Sequence, residues 1–354
     1  MAKIKVAIVG VGSISQTHLK AYSATEDFEV YAFCDINKDR LEYMGEKYGV
    51  TRLYTDEAEM LAALPEIEAV DVCTWNAAHA PCSIMALEAG KHVFCEKPMA
   101  LNAKEAEAMK AAADKAGKVL MIGFVRRFGR DCDIVSDLID SDRLGEIYYA
   151  KASYLRRNGN PGGWFGNKAL SGGGPLIDLG VHVIDLVRYL MGKPNPTSVY
   201  GVTFEKLGNR SNIKTAKSYL SAGASDNDVC DCEDIATALI RFDNGAVMFV
   251  EASFSLNVKK GDNSVQLFGT KGGAKLADEV ELYTEMDDYL TNVTFAGEDG
   301  GFSFTPAFAA EIQNFADTIN GKAECRNPAE DGVLMMQILD AIYASAESGH
   351  EVTL

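Results

Sequence analysis

The chain has 354 residues, enough for two domains at roughly 150 residues each, and its 51 acidic against 34 basic side chains leave a formal charge of −17. That excess, with no basic tract, argues against a nucleic-acid surface, which needs clustered Lys and Arg, and against binding to an anionic membrane. Hydrophobic residues at 47% and charged residues at 24% are the proportions of a packed globular chain rather than a disordered one.

Residues 1–10 carry an early charge and a short apolar run, which reads as a buried strand and not a signal peptide. No stretch reaches about 18 uninterrupted apolar residues, so no membrane span is expected. Five strands are predicted at 3–9, 29–34, 69–74, 91–95 and 118–123, with helices near 14–24, 37–48, 57–63, 77–89 and 102–116. Asn102 is positioned to cap the last of these, with Glu105 three residues on and Gly117 just past its end. Strands that are almost continuously apolar and alternate with helices mean a parallel sheet covered on both faces. After about residue 124 the pattern changes. Residues 235–242 and 246–255 read as strands joined by the hairpin signal Asp243-Asn244-Gly245, and 264–269 leads into a second turn at 270–273. A strand at 145–155 and helices at 176–191, 306–320 and 328–348 complete a mixed or antiparallel sheet with helices on one face.

The eight Cys are scattered, several within apolar runs, as expected of reduced thiols in a cytoplasmic protein. Cys230 and Cys232 have no second Cys/His pair at zinc-like spacing, and no metal site is read.

The chemistry begins at Gly10-x-Gly12-x-x-Ser15, between the first strand and the first helix. In a dinucleotide-binding fold the first Gly makes the tight turn and the second lets backbone approach the pyrophosphate, which then faces the helix N-terminus at Ser13 and Ile14. Ser15 stands where a third Gly would be and is small enough for close packing. Asp35, about 20 residues on at the end of the second strand, is placed to hold the ribose hydroxyls and repel a 2′-phosphate, which favours NAD over NADP. Lys38 and Arg40 nearby leave dual use open, with Arg40 counted among the cofactor contacts. Two more motifs follow strands at the carboxyl edge of the sheet: Thr74-Trp75-Asn76-x-x-His79 and Cys95-Glu96-Lys97-Pro98. His18 and His79 sit near these loops, as pocket lining or as ordinary helix residues. Farther on, Gly172-Gly-Gly174-Pro175-Leu-Ile-Asp178-x-x-x-His182-x-x-Asp185 puts Asp178 and His182 four residues apart on one helix face. Asp185 reads as a structural partner inside the domain.

Glu-Lys-Pro together with Gly-Gly-x-x-x-Asp-x-x-x-His resembles the Gfo/Idh/MocA family of oxidoreductases, and Phe268-Gly-Thr-Lys-Gly272 is similar to a turn in that family's second domain. The resemblance implies an α/β chain: an N-terminal Rossmann dinucleotide-binding domain, here 1–123, and a C-terminal α+β domain with an open, predominantly antiparallel sheet, here 124–354. It implies NAD(P)-dependent oxidation of a secondary hydroxyl of a sugar, polyol or glycoside, in a homodimer or homotetramer. It makes Lys97, Asp178 and His182 the catalytic and substrate-binding set. Gly10, Gly12, Ser13, Ile14, Asp35, Arg40, Thr74, Asn76, His79, Glu96, Lys97 and Arg127 are then expected at the cofactor. For Arg127, packing and pyrophosphate contact both stay open. Trp75 departs from the family pattern, which has Pro there. Chemically the set is coherent. Histidine, with an ordinary pKa near 6.5, can take a hydroxyl proton, a lysine cation can stabilise an alkoxide, and nicotinamide takes the hydride without a metal. Arg156 and Trp164, in a Gly/Pro/Asn-rich loop of about 17 residues, read as substrate contacts, since loops that long are commonly functional. Two other readings are a redox-neutral glycoside-cleaving enzyme and a non-catalytic NAD-binding regulator.

Overall fold

The computed structural model describes residues 3–210, 212–215, 217, 219–221, 224–225, 227–295 and 301–354. Six parallel strands open the chain: β1 (Ile4–Val9), β2 (Phe28–Cys34), β3 (Leu53–Tyr54), β4 (Ala69–Val72), β5 (His92–Cys95) and β6 (Leu120–Ile122). Between them run α1 (Ser13–Ser23), α2 (Lys38–Tyr48), α3 (Glu57–Ala63), α4 (Asn76–Glu88) and α5 (Ala103–Ala116). The sheet order β3-β2-β1-β4-β5-β6 reverses direction at β1, and ligands of such sheets bind at the carboxyl ends beside that reversal. Strand residues such as Ile8, Phe33 and Phe94 have no exposure at all, as a sheet covered on both faces requires. Asn102 caps α5 by accepting the Glu105 amide at 3.0 Å, and Gly117 ends it at φ +62°. The expected Rossmann fold is present.

Next come α6 (Arg130–Asp140), β7 (Ile147–Leu155), α7 (Lys168–Ser171), α8 (Val181–Leu190) and strands β8 (Pro196–Phe204), β9 (Ile235–Phe242), β10 (Val247–Ser253), β11 (Asp262–Gly269), β12 (Gly272–Leu276), β13 (Val280–Met286) and β14 (Tyr289–Thr294). After α9 (Phe304–Ile319) and α10 (Ala329–Ser348), β15 (Val352–Thr353) closes the chain. These nine strands form one sheet, β14-β13-β12-β11-β7-β10-β9-β8-β15, in which only β7 and β10 pair in parallel. The hairpin at 243–245 closes as its residues require, with Gly245 at φ +84°. Residues 168–190 have the length and hydropathy of a membrane span, but 83% of that window is buried, as in the core helix of a globular unit.

The chain divides into two compact units, 1–125 with 308–336, and 126–307 with 337–354. This differs from the expected division at 123/124, because residues 308–336 return to the first unit. The reason is an aromatic stripe on α9. Phe315 stacks on Phe28 and meets Phe94 edge-on, and Phe308 lies against His18. Asn327 and Pro328 then extend β6 through a backbone hydrogen bond to Ile122 and a bridge to Met121.

Candidate active site

The first unit supplies a dinucleotide cradle. Gly10 has φ +87°, and a Cβ there would sit 2.8 Å from the Cys73 carbonyl, so only glycine lets the β1 and β4 loops touch. A Cβ on Gly12 would meet nothing within 4 Å; that open ground lies at the N-terminus of α1, where Gly12 offers no side-chain cap. Backbone amides and the helix dipole face outward there, the arrangement that binds a pyrophosphate. Ser15 is fully buried, and its hydroxyl donates to the Gly12 carbonyl at 2.9 Å, which supplies the close packing expected of the third position. Asp35 is braced in place by the Val11 and Asn37 amides, each at 2.8 Å. These residues fit NAD. Arg40 lies beside the turn, donating to the Val11 carbonyl at 2.8 Å and the Gly12 carbonyl at 3.2 Å.

Trp75 caps α4 with φ −75°, an angle that proline would also adopt. Its departure from the family pattern is therefore compatible with the φ that a proline would impose. Thr74 is half-buried at the tip of that loop, and Asn76 begins α4. Lys97 is half-buried just past β5.

Three residues expected at the cofactor make contacts within the protein. His79 is 1% exposed. Its Nδ1 lies 2.7 Å from the Pro98 carbonyl and its Nε2 3.2 Å from the Thr74 carbonyl, so it ties the two loops from behind. Burial lowers its pKa, and the hydrogen bonds to the Pro98 and Thr74 carbonyls work against that. Glu96 is buried and accepts from His18 on one oxygen and from the Lys97 amide on the other. Burial pushes its carboxyl up, but the His18 hydrogen bond and charge outweigh that and hold it below the usual range. Arg127 has no exposed surface. Its guanidinium grips Asp185 through Nε at 2.9 Å and Nη2 at 2.6 Å and lies over the Tyr189 ring. Of the two roles left open for Arg127, packing is the one the structure shows, and Asp185 is the structural partner expected.

In the second unit, Pro175 leads into a π-helical turn, Leu176–Gly180, that runs directly into α8. Single π turns inside helices recur at functional sites. Residues 179–181 and 183–188 are all buried, whereas Asp178 and His182 are half-buried. The two expected side chains thus share the open side of an otherwise core helix.

The glycines before them are demanded by close approach. A Cβ on Gly173 would lie 2.0 Å from the Tyr343 hydroxyl, and one on Gly174 2.4 Å from the Glu233 carbonyl oxygen. Glu233, which the sequence reading missed, accepts from the Gly174 amide at 2.9 Å, the Leu176 amide at 3.2 Å and the Tyr343 hydroxyl at 2.9 Å. It satisfies the first amides of the helix from another element, although burial raises its pKa. The available signal was a carboxylate two residues before an apolar strand.

The loop after β7 is tethered rather than slack. Arg156 donates to the Gly159 carbonyl at 3.1 Å, and Trp164 stacks on Phe165 with ring centroids 3.9 Å apart. The Ser221 and Asp231 amides bond the Pro161 and Gly166 carbonyls.

Against known proteins, residues 4–124 match the model of the GFO_IDH_MocA oxidoreductase family with its NAD-binding Rossmann fold, and 136–354 match that family's C-terminal alpha/beta domain. The chain is 36% identical to D-glucoside 3-dehydrogenase of Escherichia coli (strain K12), over 99% of this chain and 97% of that one. It is 26% identical to myo-inositol 2-dehydrogenase of Thermotoga maritima, over 99% and 98%. A solved levoglucosan dehydrogenase in complex with NADH and L-sorbose has a TM-score of 0.86 at 25% identity, covering 100% of this chain and 99% of that one.

Proposed function

The chain belongs to the Gfo/Idh/MocA oxidoreductase family and is an NAD-dependent carbohydrate dehydrogenase, and from that premise we propose that it oxidises a secondary hydroxyl of a D-glucoside, the 3-hydroxyl by analogy with the relative it resembles at 36% identity. Support for the chemistry comes from one observation above all: along a helical segment where 179–181 and 183–188 are buried, an acid and an imidazole are left half-buried on the same side. His182 accepts the hydroxyl proton. Asp178 orients the substrate or fixes the His182 tautomer. Lys97 places a cation against the developing alkoxide. NAD, when bound, supplies the hydride acceptor. Arg156 and Trp164 offer the sugar a hydrogen-bonding fork and a stacking face. We also propose a homo-oligomer, supported by an exposed apolar row across the second sheet where Tyr200 on β8 pairs with Leu239 on β9.

The test is turnover of the purified protein with NAD and a panel of glucosides, free sugars and inositols, read by absorbance of the reduced cofactor. Net accumulation with a glucoside is expected. Cleaved product without accumulation would support the redox-neutral reading instead. Lys97→Ala is expected to lower kcat by about 10²–10³-fold with NAD binding retained. His182→Ala is expected to lower it by about 10²–10⁴-fold and to abolish the acidic limb of the pH–rate profile. A wild-type acidic limb in His182→Ala, lost instead in Lys97→Ala, would exchange the two roles.

A further inference from the structure

Within the first unit, a line of hydrogen bonds runs from the sheet core to the backbone of Lys97. His18 on α1 has no exposed surface and sits edge-on to Phe94 and against Phe308. Its Nδ1 is 2.8 Å from an Asp71 oxygen on β4, and its Nε2 is 2.8 Å from a Glu96 oxygen. Carboxylates only accept, so both ring nitrogens donate and the ring is an imidazolium between two anions. The second Glu96 oxygen accepts the Lys97 amide at 3.1 Å.

The surroundings agree with that charge state. Burial opposes it, but the Asp71 charge and hydrogen bond, with Cys73, raise His18 well above its ordinary pKa. The other titratable groups around it, Cys73, Tyr22 and Glu311, are all pushed up, burial being the largest cause in each. A buried ionic triad is an expensive way to hold a sheet together, since apolar residues of similar volume often do it as well or better. Its distinguishing product is orientation.

We propose that His18 is a positioning residue, which through Glu96 fixes the backbone from which the Lys97 side chain reaches the substrate oxygen. This rests on the catalytic reading of Lys97 given above. A misplacement of about 1 Å in a catalytic group can cost on the order of 10²-fold in rate, so a tether at the root of the lysine has a measurable consequence.

Two substitutions divide the ring's two contacts. By chain length, the amide nitrogen of His18→Gln reaches the Nε2 position and can still donate to Glu96. That of His18→Asn reaches only the Nδ1 position and can donate to Asp71 alone. The expected result is a kcat loss of about 10–100-fold in His18→Asn, largely restored in His18→Gln, with the NADH dissociation constant within about threefold of wild type in both. Hydrogen exchange at the Lys97 amide should accelerate at least about tenfold in His18→Asn and stay slow in His18→Gln. Should either His18 variant fail to fold, Glu96→Gln serves instead. Its carbonyl oxygen can take the place facing His18 or the place facing Lys97 but not both, so one link of the line is lost either way and kcat should still fall, with exchange at Lys97 accelerating where the oxygen stays with His18. Equal losses in the Asn and Gln variants accompanied by weakened NADH binding would reduce His18 to general packing and overturn the proposal. So would wild-type Lys97 exchange, or wild-type kcat, in His18→Asn. Lys97→Ala separates the two readings: full turnover in that variant refutes the catalytic role of Lys97, whereas an inactive Lys97→Ala beside an unperturbed His18→Asn refutes the positioning role alone.

Discussion

Replacing Arg127 with Met is the substitution that best tests what the core of the second unit is built on. Both members of the Arg127–Asp185 pair are out of solvent, at 0% and 2% side-chain exposure, and they meet through two hydrogen bonds of 2.6 and 2.9 Å. Arg127→Met leaves the Asp185 carboxylate buried without its guanidinium, and breaking such a pair from one side costs about 3–5 kcal/mol. With a urea m-value of about 2–3 kcal/mol/M, the unfolding midpoint of the second unit should fall by about 1–2 M. Removing both charges together, as Arg127→Met with Asp185→Leu, should restore most of that loss, because the pair's attraction was offsetting its own desolvation. The tryptophans allow the unit to be followed separately: Trp75 lies in the first unit and Trp164 in the second. Urea unfolding in a Trp75→Phe background, read by Trp164 fluorescence, therefore reports the second unit where a whole-chain transition need not be two-state. NAD affinity, measured without the Trp75 substitution, should stay within about threefold. An unchanged midpoint together with NAD binding weakened tenfold or more would show that Arg127 serves the cofactor and that its burial was misjudged.

Cofactor choice is tested at Asp35: kcat/KM should favour NAD over NADP, Asp35→Ser should narrow the gap, and equal efficiency of the wild type with both would refute the assignment. The pH dependence of stability is tested at Glu57, which burial pushes up to about 7. The folded state then keeps a proton that the unfolded chain loses near pH 4.5, so stability falls as pH rises between those values, by about 1.4 kcal/mol per unit and roughly 3 kcal/mol in all. Glu57→Gln lacks that proton and should gain over wild type in urea unfolding at pH 8 but hardly at pH 4.5; a gain equal at both would refute the raised pKa.

What could be read from the sequence was whatever is local. The strand–helix alternation of the first 123 residues, the Asn102 cap and the Gly245 hairpin each depend on neighbours a few positions away, and each forms as read except that the two-residue β3 adds a sixth strand. Strand β14 escaped because it is exposed along much of its length, with Leu290 at 90%, so hydropathy marks no inward face. The helix α6 went unread although its apolar residues do share one face, which buries Cys132 and Val135. An amphipathic pattern announces that α9 has a face to bury but not which sheet receives it, and Phe308 and Phe315 go to the first unit. The site shows the same limit. Motifs picked out residues on the loops at the strand ends, but within those motifs or beside them Glu96, His79 and Arg127 are buried in the protein. Whether a motif residue meets ligand or core depends on partners far along the chain: His18 lies 78 positions before Glu96, and Asp185 lies 58 after Arg127. Period-based reading also assumes 3.6 residues per turn throughout, so a π turn is invisible to it, although that turn carries Asp178. Burial and backbone winding, both products of the whole fold, thus decided which residues of each motif stand open to a ligand.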